Sequence, residues 1–298
     1  MSDLVGNNVR ILDTTLVSRS INIFLTVVSD DDISPPLIES LQFEPSTINV
    51  SNAPREVTMR MAVSDEQAGL AFDTSTAGCN CTYNFLTLRS PSGNQTRLVS
   101  NSAFRLISGT RNNGVWEGKF TMPRYGESGA WSVESILLFD FLNNDLSAGT
   151  ASLAAAGLPT GFTIASNPAD TVKPTLSGLT FTPAIIDTAL NSQRVTVTFV
   201  VQDTLSGINF ARDLPCPCPI LGVEFRSPSG SQRAVSTHQP FTRIAGTNLN
   251  GTWTGSVVLQ RFPEAGTWNV DLYIKDGALN ETLLSADQLK ASVSPRAW

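Results

Sequence analysis

The residues able to do chemistry fall into three sets: two Cys-x-Cys pairs, a group of recurring aspartates and one histidine. Cys79/Cys81 and Cys216/Cys218 occupy the same phase of a repeated pattern, which favours pairing within each unit. Cysteines one residue apart can meet the Cα distance limits of a disulfide, in a small strained ring. That reading expects an oxidising, extracellular or periplasmic setting. Cross-links to a neighbouring chain and thiolate metal binding or redox chemistry are the other readings. Two thiolates without a nearby His fall short of the four ligands of a closed zinc site.

Asp65 and Asp203 open Asp-x-x-x-Gly turns, and Asp140 and Asp276 open Asp-x-x-x-Asn turns. Asp30, Asp31, Asp32 and Asp170 lie in the segments that lead into each repeat. Two readings stand side by side. Asp and Asn cap turns through their own backbone bonds. Alternatively, carboxylates from loops at a junction suit calcium, which takes about six to eight oxygen ligands. The Asp30-Asp31-Asp32 run is where calcium is most expected, and no other cofactor is indicated.

The single histidine, His238, has no counterpart in the matching stretch around Ser100–Phe104, and a serine or threonine nucleophile needs a base. No Gly-rich phosphate loop follows a strand and opens a helix. A glycosidase would have to place its carboxylate pair asymmetrically in one of two near-identical units. A non-enzymatic chain is expected.

These residues are positioned by an internal repeat. Asp65 to Asp203 is 138 positions, Trp116 to Trp253 and Trp131 to Trp268 are 137, and Asp140 to Asp276 is 136. Arg-Ser-Pro-Ser-Gly and Asn-Gly-x-Trp-x-Gly recur in both copies, so the chain contains two versions of one module. Val57–Val63 alternates apolar and polar residues, and Val195–Val201 is rich in β-branched residues, as strands require. Turn residues separate such runs. About seven antiparallel strands per module predict an all-β chain of two tandem immunoglobulin-like β-sandwiches, with the recurring tryptophans packed between sheets.

Residues 1–30 read as the tail of a preceding module, 31–169 as the first module and 170–298 as the second, short of most of its last strand. The opening segment carries an apolar run (Ile21, Ile23, Phe24, Leu25, Val27) that parallels the strand beginning at Phe162. A sandwich missing an edge strand exposes unpaired backbone groups. The chain is therefore expected to self-assemble head to tail by donating this strand to the next copy. An arbitrary excision from a long repeat protein is the competing account.

A net charge of −6 offers no basic stripe for nucleic acid. No apolar run approaches the roughly 18 residues of a membrane-spanning helix, so membrane insertion is not expected.

The repeated phrases Val-x-Asp-x-x-Ser/Ala-Gly, Arg-Ser-Pro-Ser-Gly, Asn-Gly-x-Trp-x-Gly, Gly-x-Trp-x-Val and Asp-x-x-x-Asn resemble the immunoglobulin-like repeats of large secreted and cell-surface proteins, mostly bacterial. The resemblance implies an extracellular or cell-surface stalk, adhesin or fibre, in some cases with calcium stiffening the linkers. The Cys-x-Cys pairs are not part of that pattern. The main expectation is a structural fibre or stalk protein. The alternative is an adhesin segment whose loops bind a surface glycan or a protein, and a third class is an accessory region of a secreted hydrolase. If the cysteines are oxidised staples, reductant lowers the melting temperature; an unchanged melting curve in calorimetry counts against disulfides.

Overall fold

A computed structural model describes residues 26–71, 85–208, 222–236 and 241–292. Residues 37–165 contribute ten strands. β1 (Leu37–Glu44), β3 (Arg55–Ser64), β7 (Asn113–Met122) and β6 (Phe104–Gly109) form one sheet in the order β1-β3-β7-β6. The facing sheet runs β2 (Thr47–Asn49), β10 (Gly161–Ala165), β8 (Gly129–Phe139), β4 (Phe85–Arg89), β5 (Thr96–Val99), with β9 (Asp145–Ala148) also on β8. All of these pairs are antiparallel except β10 with β2, which is parallel. A short helix α1 (Thr150–Ala155) buries Leu153 between β9 and β10.

The second module repeats the plan with fewer strands. Its sheets are β11 (Thr175–Thr182), β12 (Gln193–Gln202), β16 (Asn250–Leu259), β15 (Thr242–Gly246), and β14 (Arg233–Val235), β13 (Gly222–Arg226), β17 (Asn269–Lys275), β18 (Glu281–Leu284). Helix α2 (Ala286–Ser292) stands where α1 stands in the first module. The all-β, immunoglobulin-like sandwich architecture is thus that of both modules. The strand count exceeds seven because short pieces such as β2, β5 and β9 pair along the sheet margins. Counterparts of β2 and β10 are missing among the described residues of the second module.

The alternating sequence of β3 turns Val57, Met59, Met61 and Val63 into the core, and β12 does the same with Val195, Val197, Phe199 and Val201. Side chains of period two can line only one face of a pleated strand, so each run fixes which face of its sheet is wet. Trp116, Trp131 and Trp253 are buried as expected, whereas Trp268 is only partly covered.

Packing also explains the second glycine of Asn-Gly-x-Trp-x-Gly. Gly118 lies opposite Phe104 across the β6–β7 pair, and a Cβ there would come within 2.3 Å of the Phe104 ring. Gly255 meets the Phe241 ring at 2.5 Å in the second module. The aromatic ring covers a backbone that a side chain would block. Gly118→Ala gains strand propensity, worth about 0.5–1 kcal/mol, but displaces a buried ring at about 1–3 kcal/mol. The clash wins, and urea unfolding is expected to show a lower midpoint; an unchanged or higher midpoint refutes this packing account.

Candidate metal centres

Each module is entered through a carboxylate cluster. Asp32, at the end of the incoming segment, meets Asp65 from the loop after β3 and Asp140 from the turn after β8. Asp170, Asp203 and Asp276 repeat this in the second module, and in each trio one carboxylate oxygen per residue lies within 4.8 Å of the others. The loops converge because β3 and β8 belong to facing sheets and end at the same edge of the sandwich. Isolated bridges tie them, Leu70 to Asp140 and Ile208 to Asp276.

Local turn chemistry fixes the side chains. Asp65 Oδ1 accepts from the amide of Gly69 at 2.5 Å, and Asp203 Oδ1 accepts from the amides of Leu205 and Gly207 at 3.0 and 2.6 Å. Gly69 and Gly207 close these loops at φ 77° and 78°, in the left-handed region that favours glycine. Asp140 Oδ1 accepts from the amides of Leu142 and Asn144, both at 2.8 Å, and Asp276 Oδ1 from those of Ala278 and Asn280 at 2.9 and 2.8 Å. The incoming aspartates take amides of the Asp65 and Asp203 loops: Ala68 to Asp32 at 2.7 Å and Ser206 to Asp170 at 2.8 Å. Asn144 and Asn280 brace the cages. Each Nδ2 donates both to its own turn's aspartate, Asp140 at 2.6 Å or Asp276 at 2.8 Å, and to the carbonyl of the incoming one, Asp32 at 3.0 Å or Asp170 at 3.1 Å.

Turn capping occupies only one oxygen of Asp65 and one of Asp203. Asp65 Oδ2 and Asp203 Oδ2 are buried and accept no hydrogen bond, on residues 9% and 8% exposed. None of the ion pairs among the described residues engages any of the six carboxylates. Three buried acids facing one another without a counter-charge are costly. Burial pushes the Asp276 carboxyl up to about 7, against the lowering effect of Asn280, and the Asp170 and Asp203 charges push the same way. Asp65 is raised too, first by burial and then by Asp32 and Asp140.

An all-oxygen, carboxylate-rich donor set suits a hard divalent cation. Ligands on one sphere of about 2.4 Å radius lie no more than about 4.8 Å apart, which the clusters satisfy. Asp30 and Asp31 stay outside: both are exposed, and Asp31 offers only its carbonyl, to Gln67 at 3.1 Å. Of the expected linker run, Asp32 alone joins the cage.

The second centre is built into the joint between modules. Gln95 is fully buried, and its Nε2 donates to the Asp170 carbonyl at 2.5 Å and to Asn280 Oδ1 at 2.9 Å. The Asp170 amide donates to the Tyr125 carbonyl at 2.8 Å, and Leu279 packs into the first module's core. The sequence reading missed Gln95, although its recurrence as Gln232 after each Pro-Ser-Gly turn was there to be aligned. Both glutamines accept a backbone amide through Oε1, from Glu127 at 2.8 Å and Glu264 at 2.7 Å. Cys79, Cys81, Cys216, Cys218, Ile21, Ile23, Phe24 and Leu25 lie outside the described residues, and Val27 is exposed. No helix of the described residues is long and apolar enough to cross a membrane.

No protein-family model and no curated protein matches the chain. Solved structures described as marsupial T cell receptor are similar at 10% and 9% identity, each with a TM-score of 0.26. They cover 83% of this chain, and 97% and 98% of their own lengths. Similarity of that degree carries nothing about ligand or role.

If the cages take calcium, about a hundredfold excess over its Kd is expected to stabilise the folded state by about 2.7 kcal/mol, several degrees in melting temperature. The Asp276 carboxyl is raised in the folded state, so in the absence of cation stability falls as pH rises from its unfolded value near 3.8 towards about 7. Calorimetry is therefore expected to show the calcium gain at pH 8 and a smaller gain at pH 5, where protons compete. Asp65→Asn is expected to reduce it. A melting temperature indifferent to millimolar calcium at pH 8 refutes both centres.

Proposed function

We propose that this chain is a non-catalytic structural element of an extracellular or cell-surface stalk or fibre, in which divalent cations lock successive β-sandwiches into a stiff series. The observation that carries this reading is the duplication of the aspartate cage at the entrance of each module. The second cage shares Asp170 and Asn280 with the inter-module joint through Gln95. A cation held by Asp170, Asp203 and Asp276 joins the linker to two loops of the sandwich it enters, so hinge bending would break ligation. Lys275 Nζ also reaches across to the Thr96 carbonyl at 3.4 Å. Fibre assembly, oxidised cysteines and the extracellular setting belong to the same proposal, supported by the tandem repeat and the resemblance of its turn motifs.

Small-angle X-ray scattering on the 298-residue chain tests the mechanical part. Calcium is expected to give a longer, better-defined maximum dimension than chelator, and Asp276→Asn is expected to remove the difference. Superimposable profiles with and without calcium would contradict the reading.

A further inference from the structure

The two cages share one ligand plan, but the turns that carry their last aspartates are held differently. The turn of Asp140 passes through Asn143 at φ 69°, and the turn of Asp276 passes through Leu279 at φ 78°. Asparagine tolerates the left-handed region, whereas leucine enters it only where the surrounding structure imposes it. Leu279 is 3% exposed and packs into the hydrophobic core of the first module. Docking of that module therefore holds a backbone shape that leucine disfavours. The same shape directs the amides of Ala278 and Asn280 at Asp276 Oδ1.

The incoming carboxylate is held from the first module as well. The Asp170 amide donates to the Tyr125 carbonyl and the Asp170 carbonyl accepts from Gln95 Nε2, so the first module engages both polar groups of its main chain. Its side chain is engaged elsewhere: Oδ1 accepts from the Val172 amide at 3.2 Å and Oδ2 from the Ser206 amide at 2.8 Å.

Asn280 is the third link. Its Oδ1 accepts from Gln95 Nε2 while its Nδ2 donates to Asp276 Oδ2, so the Gln95 donor fixes which end of the Asn280 amide meets the carboxylate. Gln95 and Asn280 also face each other in an isolated antiparallel bridge between the modules. Gln95 is itself locked, because its Oε1 accepts the Glu127 amide and the Glu127 carbonyl accepts the Trp131 indole N–H at 2.9 Å. Two of the three acids, Asp170 and Asp276, thus take their positions through contacts of the first module. The third, Asp203, keeps a buried Oδ2 that has no hydrogen-bond partner among the described residues.

We propose that cation binding at Asp170, Asp203 and Asp276 and docking of the first module on the second form one linked equilibrium, with Gln95 as the positioning residue. This coupling rests on the cation reading above and goes beyond it: the first module presets the second centre, and the cation in return holds the first module. Reciprocity follows because a coupling free energy acts equally on both binding events. Both cages offer three carboxylates, so what Gln95 adds at the second is rigidity, one of the properties that tune calcium affinity. Ligands already held in place lose less freedom when the ion arrives.

Isothermal titration calorimetry of calcium into the full chain tests this in two backgrounds, Asp65→Asn to disable the first centre and Asp203→Asn to disable the second. Gln95→Glu keeps an acceptor for the Glu127 amide and removes the donor to Asp170 and Asn280. In the Asp65→Asn background it is expected to weaken calcium binding about tenfold, the size of a typical coupling between sites. In the Asp203→Asn background it is expected to change nothing. Leu279→Ala takes away no hydrogen-bonding side chain and is expected to give the same selective loss. Gln232→Glu makes the Gln95 change in the equivalent turn of the second module and is expected to leave the second centre's affinity unaltered. A second centre indifferent to both Gln95→Glu and Leu279→Ala overturns the coupling and leaves the cation reading standing. Equal losses at the two centres, or an equal loss from Gln232→Glu, overturn it in the same way, since the effect would then be one of general stability. An unaltered chain that binds no calcium overturns the cation reading and the coupling together.

Discussion

Three buried carboxylates that join no ion pair among the described residues stand at the entrance of each sandwich, and most of the architecture around the joints follows from them. Each trio draws on three separate segments: an incoming linker, the loop after the second long strand of one sheet, and a turn after the central strand of the other. Backbone amides and one asparagine satisfy part of the oxygens, but Asp65 Oδ2 and Asp203 Oδ2 are buried without a donor among the described residues. Hydrogen bonds orient these acids without neutralising them. The group that resolves the repulsion is therefore a bound cation or a proton, and the upward push on Asp276 states the same conflict.

The joint adds a second constraint, because it uses the cage residues as structural parts. Asn280 donates to Asp276 and Asp170 through its amide nitrogen while its carbonyl oxygen accepts from Gln95. Gln95 in turn accepts the Glu127 amide that precedes Trp131 in the first core. A continuous polar chain therefore runs from one hydrophobic core, through the joint, to the carboxylates of the next module. Buried networks of this kind are either wholly satisfied or costly, which makes the relative placement of the modules specific.

Much of this was legible from residue types alone. Period-two runs named the core faces of β3 and β12, the 136 to 138-residue repeat named two sandwiches, and the matched aspartates named five of the six cage members outside the Asp30–Asp32 run. Within that run spacing could not separate Asp32 from its neighbours, since only the bend towards Ala68 decides which carboxylate is brought inward. The role of Gln95 was hidden for another reason. A glutamine after a Pro-Ser-Gly turn reads as a surface residue until the neighbouring module covers it. The turn-capping and metal readings of the aspartates do not exclude one another, because a carboxylate has two oxygens and turn capping engages only one of them at Asp65 and Asp203.

The two modules differ in one respect that sequence similarity conceals. The first is closed by its own β10, with Phe162 and Ile164 inside; the described residues of the second hold no counterpart of that strand. The first cage, by contrast, is assembled from Asp32, Asp65 and Asp140 of a single chain and needs no neighbour. In the second cage, Asp170 is instead held by the Tyr125 carbonyl and by Gln95 of the first module, so the two cages differ in what positions their incoming carboxylate.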